Sequence, residues 1–200
     1  MRRMAGLLTL ILCLTLLFGC GKTEDVSRPE PSSSTTPSDE PVQGPQSFSL
    51  AYSKDDTLDP YAARTEVNWE LAGLLYDSLT VIDAQFTAVN SLAVSLQQTD
   101  ATHWVAQLKE DARFSDGSAV TPADVTAAFQ RAKSSANYRV LVSNVAAAAA
   151  NAKTREITFT LSSPDPNAAA CFSFPIVKSS TATTAAGQAP VGGGLYMVQE

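Results

Sequence analysis

The sequence predicts a mixed α/β fold, and three observations carry that prediction. Short runs that alternate apolar and polar residues, the mark of half-buried strands, recur from residue 47 onward. Other stretches place apolar residues three and four apart, as amphipathic helices do. Residues 47–200 are enough for one domain of common size, and such a domain buries roughly 68–70% of the surface its unfolded chain exposes.

The elements follow in order. Ser47 to Tyr52 reads SFSLAY and has the period-two pattern of a strand. DDTLDPY follows as a loop, because Pro60 steers the residue before it away from helix. Val67–Leu79 places Leu71, Leu74, Leu75 and Leu79 on one helical face. Thr80–Ile82 and Phe86–Val89 read as short strands around a turn at Asp83. Trp104, Ala106 and Leu108 alternate, as do Ile157, Phe159 and Leu161 in REITFTL, the strongest strand signal in the chain. Residues 145–152, VAAAAANA, allow two readings: alanine has maximal helix propensity. Yet NAKTRE connects the run directly to REITFTL, which makes it a hairpin partner, and a strand is the preferred reading.

The N-terminus points to export. Arg2 and Arg3 precede an apolar run of fourteen residues, Ala5–Phe18. A membrane span needs about 20 residues, so the run suits the apolar region of a signal peptide. It closes on Leu17-Phe18-Gly19-Cys20, similar to the lipobox of bacterial lipoproteins, in which the cysteine is acylated and becomes the new N-terminus. Residues 1–19 are thus expected to be a lipoprotein signal peptide, with Cys20 lipidated. Stable attachment takes more than one acyl chain, each buried CH₂ contributing about 0.8 kcal/mol. Residues 20–46 read as a disordered tether: the segment from Lys22 holds five of the eleven prolines and few large apolar residues, too few to offset its ordering entropy. As a flexible coil, 25 residues span roughly 25–30 Å.

Cysteine and charge narrow the classes further. With Cys13 removed and Cys20 acylated, Cys171 is the cysteine left to the domain, so no intrachain disulfide forms there. Cys171 lies in the apolar run AAACFSF and reads as a small buried hydrophobe. The mature chain carries 12 basic and 20 acidic residues, net −8. It has no basic stripe for nucleic acid.

Residues 114–125, FSDGSAVTPADV, contain acids and hydroxyls that could pass for catalytic groups. Each has a structural task instead. Asp116-Gly117 is a favoured turn dipeptide. Thr121 caps a helix, Pro122 suits its first position, and Asp124 bonds back to the cap N–H. Val125, Ala128, Phe129 and Ala132 then make an apolar stripe. A serine nucleophile needs an imidazole to take its proton, and the sole histidine, His103, lies in the polar lead-in ATHW. One histidine and one usable cysteine make no metal cluster. Gly192-Gly193-Gly194 lacks the lysine and hydroxyl of a phosphate loop and reads as a flexible or closely packed turn. No catalytic residue, metal or cofactor is expected.

These residues resemble a family. FSDGSAVTPADV is similar to the F-S-D-G-x-x-[VL]-T-A-x-D-V signature of family 5 extracellular solute-binding proteins, the peptide- and nickel-type binding components of ABC importers. Leu58-Asp59-Pro60 resembles the L-D-P after the first strand, and Leu75 to Leu79 the L-[YF]-[ED]-x-L that closes the first helix. LAVSL, residues 92–96, resembles L-A-x-S-W with leucine for tryptophan. REITFTLSSPDP resembles the strand that follows, and PVGGGLY, residues 190–196, resembles P-V-G-T-G-P-Y with departures at Gly193 and Leu195.

The resemblance covers residues 47–200 and implies a periplasmic-binding-protein-like type II fold. Residues 47–60 would be the first strand of lobe one, 61 to about 178 a smaller flanking domain, and 190–200 the return to lobe one. The second lobe is missing from this pattern, so the chain reads as the N-terminal portion of such a protein and is expected to bind ligand weakly on its own. The implied function is a substrate-binding lipoprotein on the extracytoplasmic face of the cell membrane, delivering a peptide or other small solute to an ABC permease. Tyr61, Arg64 and Glu66 are the candidate ligand-binding residues: an amphipathic ring and two charges that could meet a peptide terminus. A tethered surface module for protein partners and a secreted hydrolase are the alternative readings.

Overall fold

The computed structural model describes residues 47–181 and 183–199, which fall chiefly in the compact unit Ser49–Glu200. The expected signal peptide, the expected lipidation site Cys20 and the expected tether lie outside the described residues. Residues 47–52 form no strand. Alternation equips that segment for a sheet, but no ladder pairs it among the described residues.

The helix expected over Val67–Leu79 is two short pieces, α1 (Glu66–Glu70) and α2 (Ala72–Leu75). The chain leaves helical geometry at Tyr76, with φ −128° and ψ 143°. There the carbonyls of Leu74 and Leu75 accept hydrogen bonds from Tyr196 and Gly194. A crossing segment thus satisfies the end of the helix in place of another turn. Leu79 is fully buried, but at the entry to a strand.

Strands β1 (Thr80–Ile82) and β2 (Ala88–Asn90) pair antiparallel, with Val81 opposite Val89. The second begins two residues later than expected. Phe86 lies in the turn at φ 59°, where the Asp83 carboxylate accepts the N–H groups of Gln85 and Thr87. Strand β3 (Ala93–Gln98), which alternation alone did not single out, forms one edge of a four-stranded antiparallel sheet. Its order is β3, β4 (His103–Leu108), β6 (Glu156–Leu161), β5 (Val145–Asn151).

The core lies between this sheet and helix α3 (Pro122–Ser134). Trp104, Ala106 and Leu108 of β4 and Ile157, Phe159 and Leu161 of β6 are buried. Val125, Ala128, Phe129 and Ala132 of α3 are fully buried, the stripe its spacing predicted. Phe129 meets Phe159 edge-on at 6.3 Å. Phe172, on the 3-10 turn Ala168–Phe172, stacks on Phe159 at 4.3 Å. Cys171 is half-buried against this core, and burial followed by the nearby Asp165 charge raises its thiol pKa. Phe159→Ala opens a void at the centre of this cluster and is expected to cost about 3–5 kcal/mol, read as a lower midpoint in urea.

The alanine run is a strand. Ala147 to Asn151 pair with Thr160 to Glu156 of β6. A ladder to a strongly alternating partner overrides helix propensity, which is a weak prior. The capping box of α3 is complete: Thr121 N–H donates to Asp124 Oδ2 at 2.8 Å, and Thr121 Oγ1 accepts from Asp124 N–H at 3.3 Å. Gly117 holds the preceding turn at φ 82°. Asp116 accepts from Ser118 and pairs with Lys178 at 2.5 Å.

Candidate functional site

The loop before α1 is bound at nearly every turn. The buried Asp56 carboxylate accepts the Thr65 N–H at 2.7 Å, the Thr65 hydroxyl, and the N–H groups of Arg64 and Thr57. The Thr65 N–H leads in holding its carboxyl well below the usual range. Asn68, fully buried on the inner face of α1, accepts the Ser53 N–H and donates to the carbonyls of Ser53 and Thr57. Asp59 accepts the Tyr61 N–H and pairs with Arg131 of α3 at 2.6 Å. Ser135 and Asn137, just past α3, donate to the carbonyls of Tyr61, Pro60 and Ala63. The loop is thus preorganised, which lowers the ordering cost of anything it binds.

Tyr61, Arg64 and Glu66 are divided by this architecture. Tyr61 is 8% exposed and its hydroxyl donates to the Pro175 carbonyl. Its ring lies under the Arg131 guanidinium at 5.0 Å and edge-on to Tyr138 at 5.3 Å. Burial raises its pKa well above the ordinary value. The Arg64 side chain is 84% exposed, with Nε 3.9 Å from Asp56. Glu66, in the first turn of α1, is exposed.

Behind this loop lies a groove of about 420 Å³. Tyr76 and Asp77 at the end of α2, Val81 and Ile82 of β1, and Tyr138 and Leu195 line it. Tyr61 touches two lining residues, Tyr138 and Pro175, so it supports the wall from behind. Arg64 and Glu66 are not among the lining residues. Val81 and Ile82 are 40% and 45% exposed, which leaves an apolar wall open to solvent. Sequence reasoning missed Tyr138, which sits in SSANYRV without periodicity. It met Asp77 only as part of a helix-closing motif.

The glycine run passes the same place. Gly192 O accepts the Ser115 N–H at 2.7 Å, and Gly194 N–H donates to Leu75 O at 3.0 Å. A Cβ on Gly192 would stand 1.8 Å from Leu75 O, and one on Gly194 2.4 Å from Leu74 O. The run is therefore a closely packed crossing.

His103 opens β4 beside Asp100, its Nδ1 2.9 Å from both carboxylate oxygens. The Thr102 hydroxyl is 3.3 Å from the same Nδ1. A proton relay needs acid and hydroxyl on opposite ring nitrogens, and this cluster has both on one. The side chains of His103 and Asp100 are 40% and 58% exposed. Among the described residues no group of three or more His, Cys, Asp or Glu could hold a metal ion, and no helix is long and apolar enough to cross a membrane.

Four carboxyls are held low in the folded state. The Thr102 N–H, followed by the His103 contact, lowers Asp100 to about 2. Asp56 and Asp116 are lowered by the Thr65 N–H and by Lys178 respectively. Burial raises Asp124, but hydrogen bonds from Thr121 and Ser179 more than reverse that. A depressed folded pKa stabilises above the unfolded value of about 3.9 and is lost as pH falls through the folded one. Stability is expected to stay level from neutrality to about pH 5 and to fall progressively below it. Asp124→Asn should flatten that fall, as measured by thermal melts across pH.

The antiparallel sheet, capped helix and glycine crossing form part of a type II periplasmic-binding-protein fold. Residues 87–200 match the model of the bacterial extracellular solute-binding proteins, family 5 (middle region), and the chain belongs to that family. NikA from Staphylococcus aureus, solved with Ni(L-His)2, matches with a TM-score of 0.58 at 21% identity, covering 72% of this chain and 30% of that one. A periplasmic oligopeptide-binding protein from Thermotoga maritima matches at 0.53 and 24% identity, covering 64% of this chain and 26% of that one. Both likenesses concern the fold. A Haemophilus influenzae protein described as a binding protein is 33% identical over 76 residues, 38% of this chain and 15% of its own length. The chain thus spans less than a third of each of these relatives.

Proposed function

We propose that this chain belongs to the substrate-binding component of an ABC importer, with short peptides as the ligand class. Membership of family 5, on the match over residues 87–200, carries this reading. The fold likeness to a nickel-complex binder and to an oligopeptide binder supports a small solute. Cys20 carries the lipid, residues 20–46 are the tether, and the domain works on the extracytoplasmic face beside its permease. Ligand acts by stabilising a closed arrangement of lobes through its higher affinity for that state.

In this reading Arg64 and Glu66 are the charges that meet a peptide terminus. Tyr61 contributes by holding Tyr138 and Pro175 in place. Deleting the coding sequence should abolish uptake of a labelled tripeptide, and re-expression should restore it. Unchanged uptake of both tripeptide and nickel–histidine would overturn the importer reading, and loss of the nickel complex alone would reassign the ligand. Cys20→Ser should release the protein from the membrane fraction.

A further inference from the structure

We infer that the groove between α2, β1 and Tyr138 is a subsite for a primary ammonium or guanidinium group borne on an alkyl chain. This deepens the importer reading and rests on it for the identity of the solute. The groove contains one ionisable acid, Asp77, and no lysine, arginine or histidine lines it. Asp77 is held in place: its Oδ1 accepts the Ser78 N–H at 2.7 Å and the Ser91 hydroxyl at 2.6 Å, and its carbonyl accepts the Ile176 N–H.

Its second carboxylate oxygen, Oδ2, has no hydrogen-bond partner among the described residues. Nor is it one of the buried unpartnered side-chain atoms among the described residues, Trp104 Nε1 and Arg155 Nε. Asp77 is half-buried, so that oxygen stands at the groove wall with no donor from the described residues. A fixed carboxylate with one free oxygen is an acceptor site for a charged N–H donor. Two tyrosines, Tyr76 and Tyr138, line the same space, and aromatic rings attract cations. Val81, Ile82 and Leu195 supply apolar wall for the alkyl stem. An anion would meet the Asp77 charge with no compensating cation. A neutral chain would gain the wall alone. The volume of about 420 Å³ lies in the range of small-molecule sites.

Three probes of equal length separate these terms: n-pentylammonium, 1-pentanol and pentanoate, titrated into the labelled chain and followed by NMR shifts. Pentylammonium should move the Val81 and Ile82 methyl signals saturably, at least tenfold tighter than pentanol, and pentanoate should not bind. Asp77→Asn keeps an acceptor for Ser78 and Ser91. It should bring pentylammonium to the pentanol level while changing pentanol less than twofold. Equal affinities of pentylammonium and pentanol for the unaltered chain would overturn the inference, whatever the variant does. So would shifts confined to residues outside the groove. Tripeptide uptake without cation preference in the groove leaves the importer reading standing and removes this one. Cation preference without any solute uptake does the reverse.

Discussion

Gly192→Ala is expected to lower stability by about 3–5 kcal/mol, in the upper range for single substitutions. The cause is steric. The added Cβ would lie 1.8 Å from Leu75 O and 2.9 Å from Leu75 C, both backbone atoms that no rotamer change can move. Relief requires parting the crossing from α2, which breaks the Gly194 N–H bond to Leu75 and the Tyr196 N–H bond to Leu74. Gly194→Ala should behave alike, with contacts of 2.4 to 2.7 Å to the Leu74–Tyr76 backbone. Gly193→Ala meets nothing closer than 3.4 Å and is expected to change stability by less than about 1 kcal/mol. Gly73→Ala, in open space within α2, should stabilise by about 0.5–1 kcal/mol. Denaturation of the four variants side by side checks the order. The contrast also explains the motif: in P-V-G-T-G-P-Y the two glycines fall at 192 and 194, where a side chain collides, and the threonine at 193, where one fits.

Asn68→Ala is expected to cost about 3 kcal/mol, about 1 kcal/mol for each of three hydrogen bonds. The side chain is fully buried and serves Ser53 N–H, Ser53 C=O and Thr57 C=O. Removing it strands Ser53 N–H and Thr57 C=O and leaves Ser53 C=O with the Asp56 N–H alone, in the loop that carries Asp56 and Asp59. Amide exchange should therefore quicken from Ser53 to Thr65 before it does in β4 or β6. An equal loss of protection throughout the domain would show that the loop has no independent attachment. Asn68→Asp should destabilise as well, since a carboxylate repels both carbonyls.

Several features could be read from the chain because local chemistry settles them. The turn at Asp116-Gly117, the capped start of α3 and its apolar stripe depend on neighbours within a few residues. So do the alternating strands β4 and β6, where side-chain period and burial coincide. Other features depended on partners far along the chain. The alanine run became a strand because REITFTL offered a ladder. The leucine-rich stretch stopped at Tyr76 because residues 194–196 took its terminal carbonyls. SFSLAY has the alternation of a strand, yet no strand covers it among the described residues. Tyr61 looked like a surface ring in its loop, yet the Pro175 carbonyl and Tyr138, both distant in sequence, draw it inward. The groove likewise gathers residues from α2, β1, Tyr138 and Leu195 that share no motif. Capping, turns and alternation act over a few bonds and leave a mark in the order of residues. Ladders, close crossings and cavities arise where segments meet across the fold, so their signal is divided among positions that only folding brings together.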